Sequence, residues 1–158
     1  MTNEKVKDFT YRVAGANKTE MIVILYDIAV TYAKDAIAAI DHNDKPLFRQ
    51  EVGKIRNTIK ELMNSVNTST DLGVTLLRLY IFCSGELTKG FIDYDKDAIY
   101  HVMSIIMKLR ESYAELSKKD TSGPVMSNTE KVYAGFTYNK NCVPEPATDL
   151  SQNRGMLV

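Results

Sequence analysis

The chain is poor in the residues from which catalytic and metal sites are usually built. It has no tryptophan and only two cysteines and two histidines, and its 20 basic residues cancel its 20 acidic ones. Cys83 and Cys142 lie far apart and belong to no C-x-x-C or Cys/His cluster, which argues against a zinc framework. Cys83, inside an apolar helical stretch, reads as a small buried hydrophobe. Neither His42, in a polar connector beside Asp41, nor His101, between apolar neighbours, follows a glutamate at three residues, so the Glu-x-x-His element of di-iron bundles is missing. Nothing brings Cys83, Cys142 or a serine towards either histidine as a nucleophile–base pair, and there is no glycine-rich phosphate loop. These absences argue against an enzyme and against any metal or nucleotide cofactor.

Charge and hydropathy exclude further classes. A formal net charge of zero, with no basic arm or stripe, gives no electrostatic case for nucleic acid or an anionic membrane. Residues 1–13 carry no apolar signal-peptide core, and no apolar run approaches the ~18–20 residues of a membrane span. The expected location is cytoplasmic. Yet 44% of the residues are hydrophobic, too many for an entropic chain. A length of 158 residues suits one core better than two.

The apolar residues recur at helical spacing. Residues 71–92 place Leu72, Leu76, Leu79, Tyr80, Cys83 and Leu87 on one face, with Val74, Leu77 and Ile81 about half a turn away. An ordinary surface helix has one apolar stripe; this one has two. A helix from Asn17, with Glu20 completing a capping box, shows the same excess. Met21, Leu25, Ile28, Tyr32, Ala36 and Ala39 form its expected core stripe, and Val23, Tyr26, Val30 and Ile37 a second set.

Two simpler helices complete the pattern. One has Pro46 in its first turn and steps through Phe48, Val52, Ile55, Ile59, Leu62 and Val66, its Gly53 suggesting a close helix–helix approach. The other runs from about 95 to 119 through Ile99, Val102, Ile106, Leu109, Tyr113 and Leu116, with Met107 off the stripe. The spacing predicts an all-α, antiparallel up-down four-helix bundle over 17–119, with a loosely ordered segment over 1–16 in which Phe9, Tyr11 and Val13 alternate. Residues 120–158 contain three of the four prolines and an apolar–aromatic cluster, Val132, Tyr133, Phe136 and Tyr138. This tail either docks on the bundle or binds a partner.

In such a bundle the helices with double stripes are diagonal, so their outward faces leave two apolar grooves. Large apolar patches mark interaction sites, and a helix is the usual occupant of a groove. The expected partner-binding residues are Val23, Tyr26, Val30, Ile37, Val74, Leu77 and Ile81, with Met107 beside them.

Asn17-Lys18-Thr19-Glu20-Met21-Ile22-Val23-Ile24-Leu25-Tyr26-Asp27 resembles the start of the first bundle helix in the flagellin-specific export chaperones, the FliS family, where the pattern is Ser-Pro-x-x-Leu-Ile-x-Met-Leu-Tyr/Phe-Asp-Gly. Leu79-Tyr80-Ile81-Phe82-Cys83 with Leu87 resembles the family's Leu-Tyr-x-Tyr-Met landmark, and Tyr113 its late aromatic residue. The resemblance covers about residues 9–118. Lys18 replaces the family's proline, Ile28 its glycine, and Ser69-Thr70-Asp71 shortens the lead-in to the third bundle helix. The resemblance implies a cytoplasmic chaperone that binds the disordered C-terminal segment of flagellin, blocks premature polymerisation and presents it to the flagellar type III export gate, with no cofactor. It also implies that the N-terminal segment caps a groove, a role for Phe9 and Tyr11. The free protein would be a monomer or a weak homo-oligomer. The competing reading is a structural bundle that homo-oligomerises through the same faces.

Overall fold

A computed structural model describes residues 1–126, and among them there are five helices and no strand. They are α1 (Asn3–Gly15), α2 (Lys18–Asp41), α3 (Lys45–Ser65), α4 (Asp71–Asp93) and α5 (Lys96–Ser117). The count exceeds the expected four by α1. The alternation of Phe9, Tyr11 and Val13 is incidental. What matters is Val6, Phe9 and Val13 at spacings of three and four, which put an apolar stripe on a helix capped by Thr2, with Glu4 in its first turn and Arg12 in its last. The cluster at Val132, Tyr133, Phe136 and Tyr138, and Cys142, lie outside the described residues.

Local chemistry sets the other helix ends. Asn17 and Glu20 form the full capping box, with reciprocal bonds of 2.8 and 2.9 Å. Asp44, Thr70 and Asp95 cap α3, α4 and α5. Gly90 does not end α4, which runs on to Asp93 and closes on Tyr94 in the left-handed conformation (φ 56°).

The helices α2, α3, α4 and α5 pack as a ring, each on the next and α5 back on α2, so that α2 and α4 stand opposite one another; α1 packs on α2 alone among the helices. Neighbours run antiparallel. Asp120, just past α5, accepts from Asn17 and Thr19 at the start of α2, while Lys96 at the start of α5 pairs with Asp41 at the end of α2. Likewise Phe48, early in α3, meets Tyr94 at the end of α4 edge-on, at 4.9 Å between ring centres.

The stripes of α3 and α5 form most of the core: Phe48, Val52, Ile55, Ile59 and Leu62, and Ile99, Val102 and Ile106, are buried, while Val66, Leu109 and Tyr113 are half-buried and Leu116, at the end of the α5 stripe, is exposed. From α4 come Leu76, Tyr80, Cys83 and Leu87, whereas Leu72, assigned to the same stripe, is 67% exposed. On α2 the two sets mix: Ala36 and Ala39 of the expected core stripe are buried as read, together with Val23, Tyr26 and Ile37 of the second set, and Val30 is half-buried. Its core face is Tyr26, Ala29, Ala33, Ala36 and Ile37, while Met21, Leu25, Ile28 and Tyr32 are only half-buried. Size misled the reading: small alanines allow α3 and α5 to approach closely, and α2 packs far more extensively on both than α4 does.

The close approaches marked by glycine also fall elsewhere than at Gly53, whose missing Cβ would meet nothing within 4 Å. A Cβ on Gly73 would lie 1.8 Å from the Asn67 carbonyl oxygen. Gly73→Ala is therefore expected to destabilise the protein by about 1–3 kcal/mol through overpacking. Gly53→Ala should instead stabilise it by about 0.5–1 kcal/mol through helix propensity. Urea unfolding of the two variants checks both signs.

Candidate partner-binding surface

The two helices with surplus apolar surface meet different fates. On α2 the outward face is covered. Val6, Phe9 and Val13 of α1 lie over Ile28 and Tyr32 around a cavity of about 300 Å³. The edge is fastened by Asp27, whose carboxylate accepts from Arg12 of α1 at 2.6 Å and from Arg110 of α5 at 2.9 Å. Past α5, Val125 N–H donates to the Ala16 carbonyl at 3.0 Å, so residues 120–126 close over the junction between α1 and α2.

On α4 no helix among the described residues covers the outward face. With Leu76, Tyr80, Cys83 and Leu87 turned inward, Leu77 and Ile81 fall on the flank towards α3, and Phe82 on the flank towards α5. Ile81 is 56% exposed and Phe82 46%. The Phe82 ring meets His101 edge-on at 5.8 Å. His101 Nδ1 stands 3.5 Å from Glu86, whose carboxyl is held below its ordinary range by Lys89 first and His101 second.

The rotation of α4 is fixed from inside. The Tyr26 and Tyr80 hydroxyls share a buried hydrogen bond across the ring of helices, and Tyr113 packs edge-on against Tyr26 at 5.6 Å. Burial pushes the Tyr80 hydroxyl up to about 12, partly countered by its bond to Tyr26, and pushes Tyr26 up further still.

The expected partner-binding residues are thus dispersed. Val74, Leu77 and Ile81 share one flank of α4, with Ile81 the most open. Met107 is exposed on α5, and Val30 is half-buried on α2. Val23, Tyr26 and Ile37 are buried and offer no surface in this state, Tyr26 and Ile37 as part of the central core. Phe9 is half-buried over α2, and Tyr11, off the packed stripe of α1, is largely exposed. Phe82 and Ile92 are exposed on α4 as well, in an apolar run with more hydrophobic residues than one face can hold, though neither is among the expected contacts.

A comparison with protein families matches residues 1–120 to the family described as Flagellar protein FliS. The chain belongs to the FliS family. The match ends at Asp120, so it takes in all five helices. A comparison with curated proteins returned no match. Membership in the FliS family implies a flagellar export chaperone with flagellin as its partner. No helix among the described residues is long and apolar enough to cross a membrane.

Removing one tyrosine hydroxyl tests the internal tie. Tyr26→Phe orphans the buried Tyr80 hydroxyl and is expected to cost about 1–3 kcal/mol, whereas Tyr26→Phe with Tyr80→Phe should recover part of the loss. The raised pKa values set a direction with pH as well. The unfolded chain releases its tyrosine protons from about pH 10, before the folded chain releases those of Tyr26 and Tyr80. Their contribution is therefore complete below about pH 10 and lost as pH rises towards 12 and beyond. In urea titrations at alkaline pH, this decline should be smaller in the doubly substituted protein.

Proposed function

We propose that this chain is a flagellar export chaperone whose client is the C-terminal segment of flagellin, disordered when free and helical when bound. The segment lies on the outward face of α4, with Leu77 and Ile81 as central contacts and Val74, Phe82 and Met107 around them. Burying these side chains drives the ordering of the client by coupled folding and binding. Occupying the segment keeps flagellin from polymerising early and holds it for the flagellar type III export gate. Proteins of this kind act in the cytoplasm, without cofactor or catalysis.

The observation that carries the reading is the apolar face of α4 that no helix among the described residues covers, opposite an α2 whose equivalent face already lies beneath α1. Phe9 and Tyr11 belong to that covering helix. A client long enough to wrap the bundle would displace it and reach Val30, with Val23 and Ile37 beneath. The free chain is read as a monomer or weak homo-oligomer.

Calorimetric titration with a flagellin C-terminal peptide of about 40 residues is expected to give micromolar or tighter binding, a large negative heat-capacity change and a gain of helix. Ile81→Asp should weaken that binding by at least about tenfold, or ~1.4 kcal/mol, and leave the far-ultraviolet spectrum of the free protein unchanged. Sedimentation should find a one-to-one complex. A homo-oligomer of fixed size that ignores the peptide would mean that the same face joins copies of this chain.

A further inference from the structure

Charge is neutral over the whole chain but segregated across α4. On the flank towards α3, a shallow cavity of about 340 Å³ is lined by Gly53, Arg56, Asn57, Ile59, Lys60 and Met63 of α3 and by Ser84 of α4. By helical spacing, Leu77, Ile81 and Thr88 fall in the same two rows of α4 as Ser84. Ile59 and Met63 supply the apolar part of this lining, and the absent side chain of Gly53 leaves open space beside them.

The charged side chains that line the cavity are both basic. Arg56 and Lys60 stand on its rim, Arg49 lies over the Phe91 ring at 5.7 Å, and Arg78 projects from the exposed side of α4. Arg56, Lys60 and Arg78 pair with no carboxylate among the described residues, all of whose recorded ion pairs involve other groups. The acids of these two helices are turned elsewhere. Glu51 is buried and bound to Lys54, whose ammonium lies over the Tyr32 ring of α2, and Glu61 follows on the row of Lys54. On α4, Glu86 and Asp93 line a cavity with Asp95, Asp97 and His101 on the flank towards α5, where Lys89, paired with Glu86, is the one lysine among four carboxylates. Asp71 stands at the first turn of α4, two turns before Arg78.

A lining apolar in part, with an unneutralised basic rim, fits one kind of occupant. We infer that the α3–α4 groove receives an amphipathic helix carrying acidic residues beside its apolar stripe, and that Arg56 and Lys60 select it by charge. The apolar part of the lining favours such a helix over a nucleic acid. The inference rests on the reading of α4 as a client surface and adds the charge that the client segment must carry. Complementary rim charge sets preference and association rate more than bare affinity, so the expected signature is discrimination that fades with salt.

Two designed helical peptides with the same leucine stripe, one flanked by glutamate and one by lysine, are titrated into the full chain. The Glu-flanked peptide should bind about tenfold more tightly at low ionic strength, and the difference should shrink at roughly 0.5 M salt. Arg56→Glu with Lys60→Glu should reverse the preference. Arg56→Gln with Lys60→Gln should erase it, with helicity and urea midpoint checked in both. Equal binding of the two peptides, or an unchanged preference in the Glu variant, overturns the inference, as does displacement of the Glu-flanked peptide by an RNA homopolymer at equal charge. The flagellin peptide runs in parallel. If it binds the unmodified and reversed proteins alike while the designed peptides show no preference, the groove assignment fails and the chaperone reading stands. If it fails to bind while the reversible preference holds, the groove assignment stands and flagellin is the wrong client.

Discussion

The hydroxyl–hydroxyl hydrogen bond between Tyr26 and Tyr80 joins two helices that make no backbone contact with each other. Long polar-tipped side chains span the middle of the ring because α2 and α4 stand across it, and each buried hydroxyl satisfies the other. Around this tie the two helices differ. The alanines of α2 at 29, 33 and 36 let α3 and α5 come close, while α4 presents Leu76, Tyr80, Cys83 and Leu87 and is held further off. The tie fixes the rotation of α4. With Tyr80 inward, the row through Leu77 and Ile81 must face α3 and the solvent.

That geometry explains why surplus apolar surface on two helices yields one open face rather than two. On α2 the surplus is matched by a short helix whose own stripe is narrow, and the Arg12–Asp27–Arg110 group pins its edge. Such partly exposed ion pairs contribute modestly. Val6, Phe9 and Val13 add apolar surface around Ile28 and Tyr32. α4 has no equivalent among the described residues, and its two flanks are further separated by charge, basic towards α3 and acidic towards α5.

Much of this was legible in the sequence, for identifiable reasons. Asn17 and Glu20 announced the start of α2 because a capping box is local chemistry, and the stripes of α3 and α5 were plain because large apolar residues there point one way. The core face of α2 was not legible. Its stripe is made of alanines, and a reading weighted by side-chain size took Tyr26 and Ile37 for surface. Helix α1 was hidden because Phe9, Tyr11 and Val13 mimic a strand period over a segment too short to settle the question. Gly53 and Gly73 looked alike in sequence; only the position of the Asn67 carbonyl distinguishes them. The basic rim was invisible for a different reason: a net charge of zero conceals segregation, which appears only once Glu51 is seen to face α2 and Glu86 to face α5.

An open apolar face weakens the element that carries it. α4 buries one stripe where an enclosed helix would bury two, and Ile81, Phe82 and Ile92 remain in water. A client that covers them restores the missing burial and stabilises the folded chain by mass action, by about 2.7 kcal/mol when present at a hundred times its dissociation constant. A partner helix too short to be stable alone in water gains its order from the same burial. On the proposed reading, an α4 face left open by the described residues couples the stability of the folded chain to occupancy of that face.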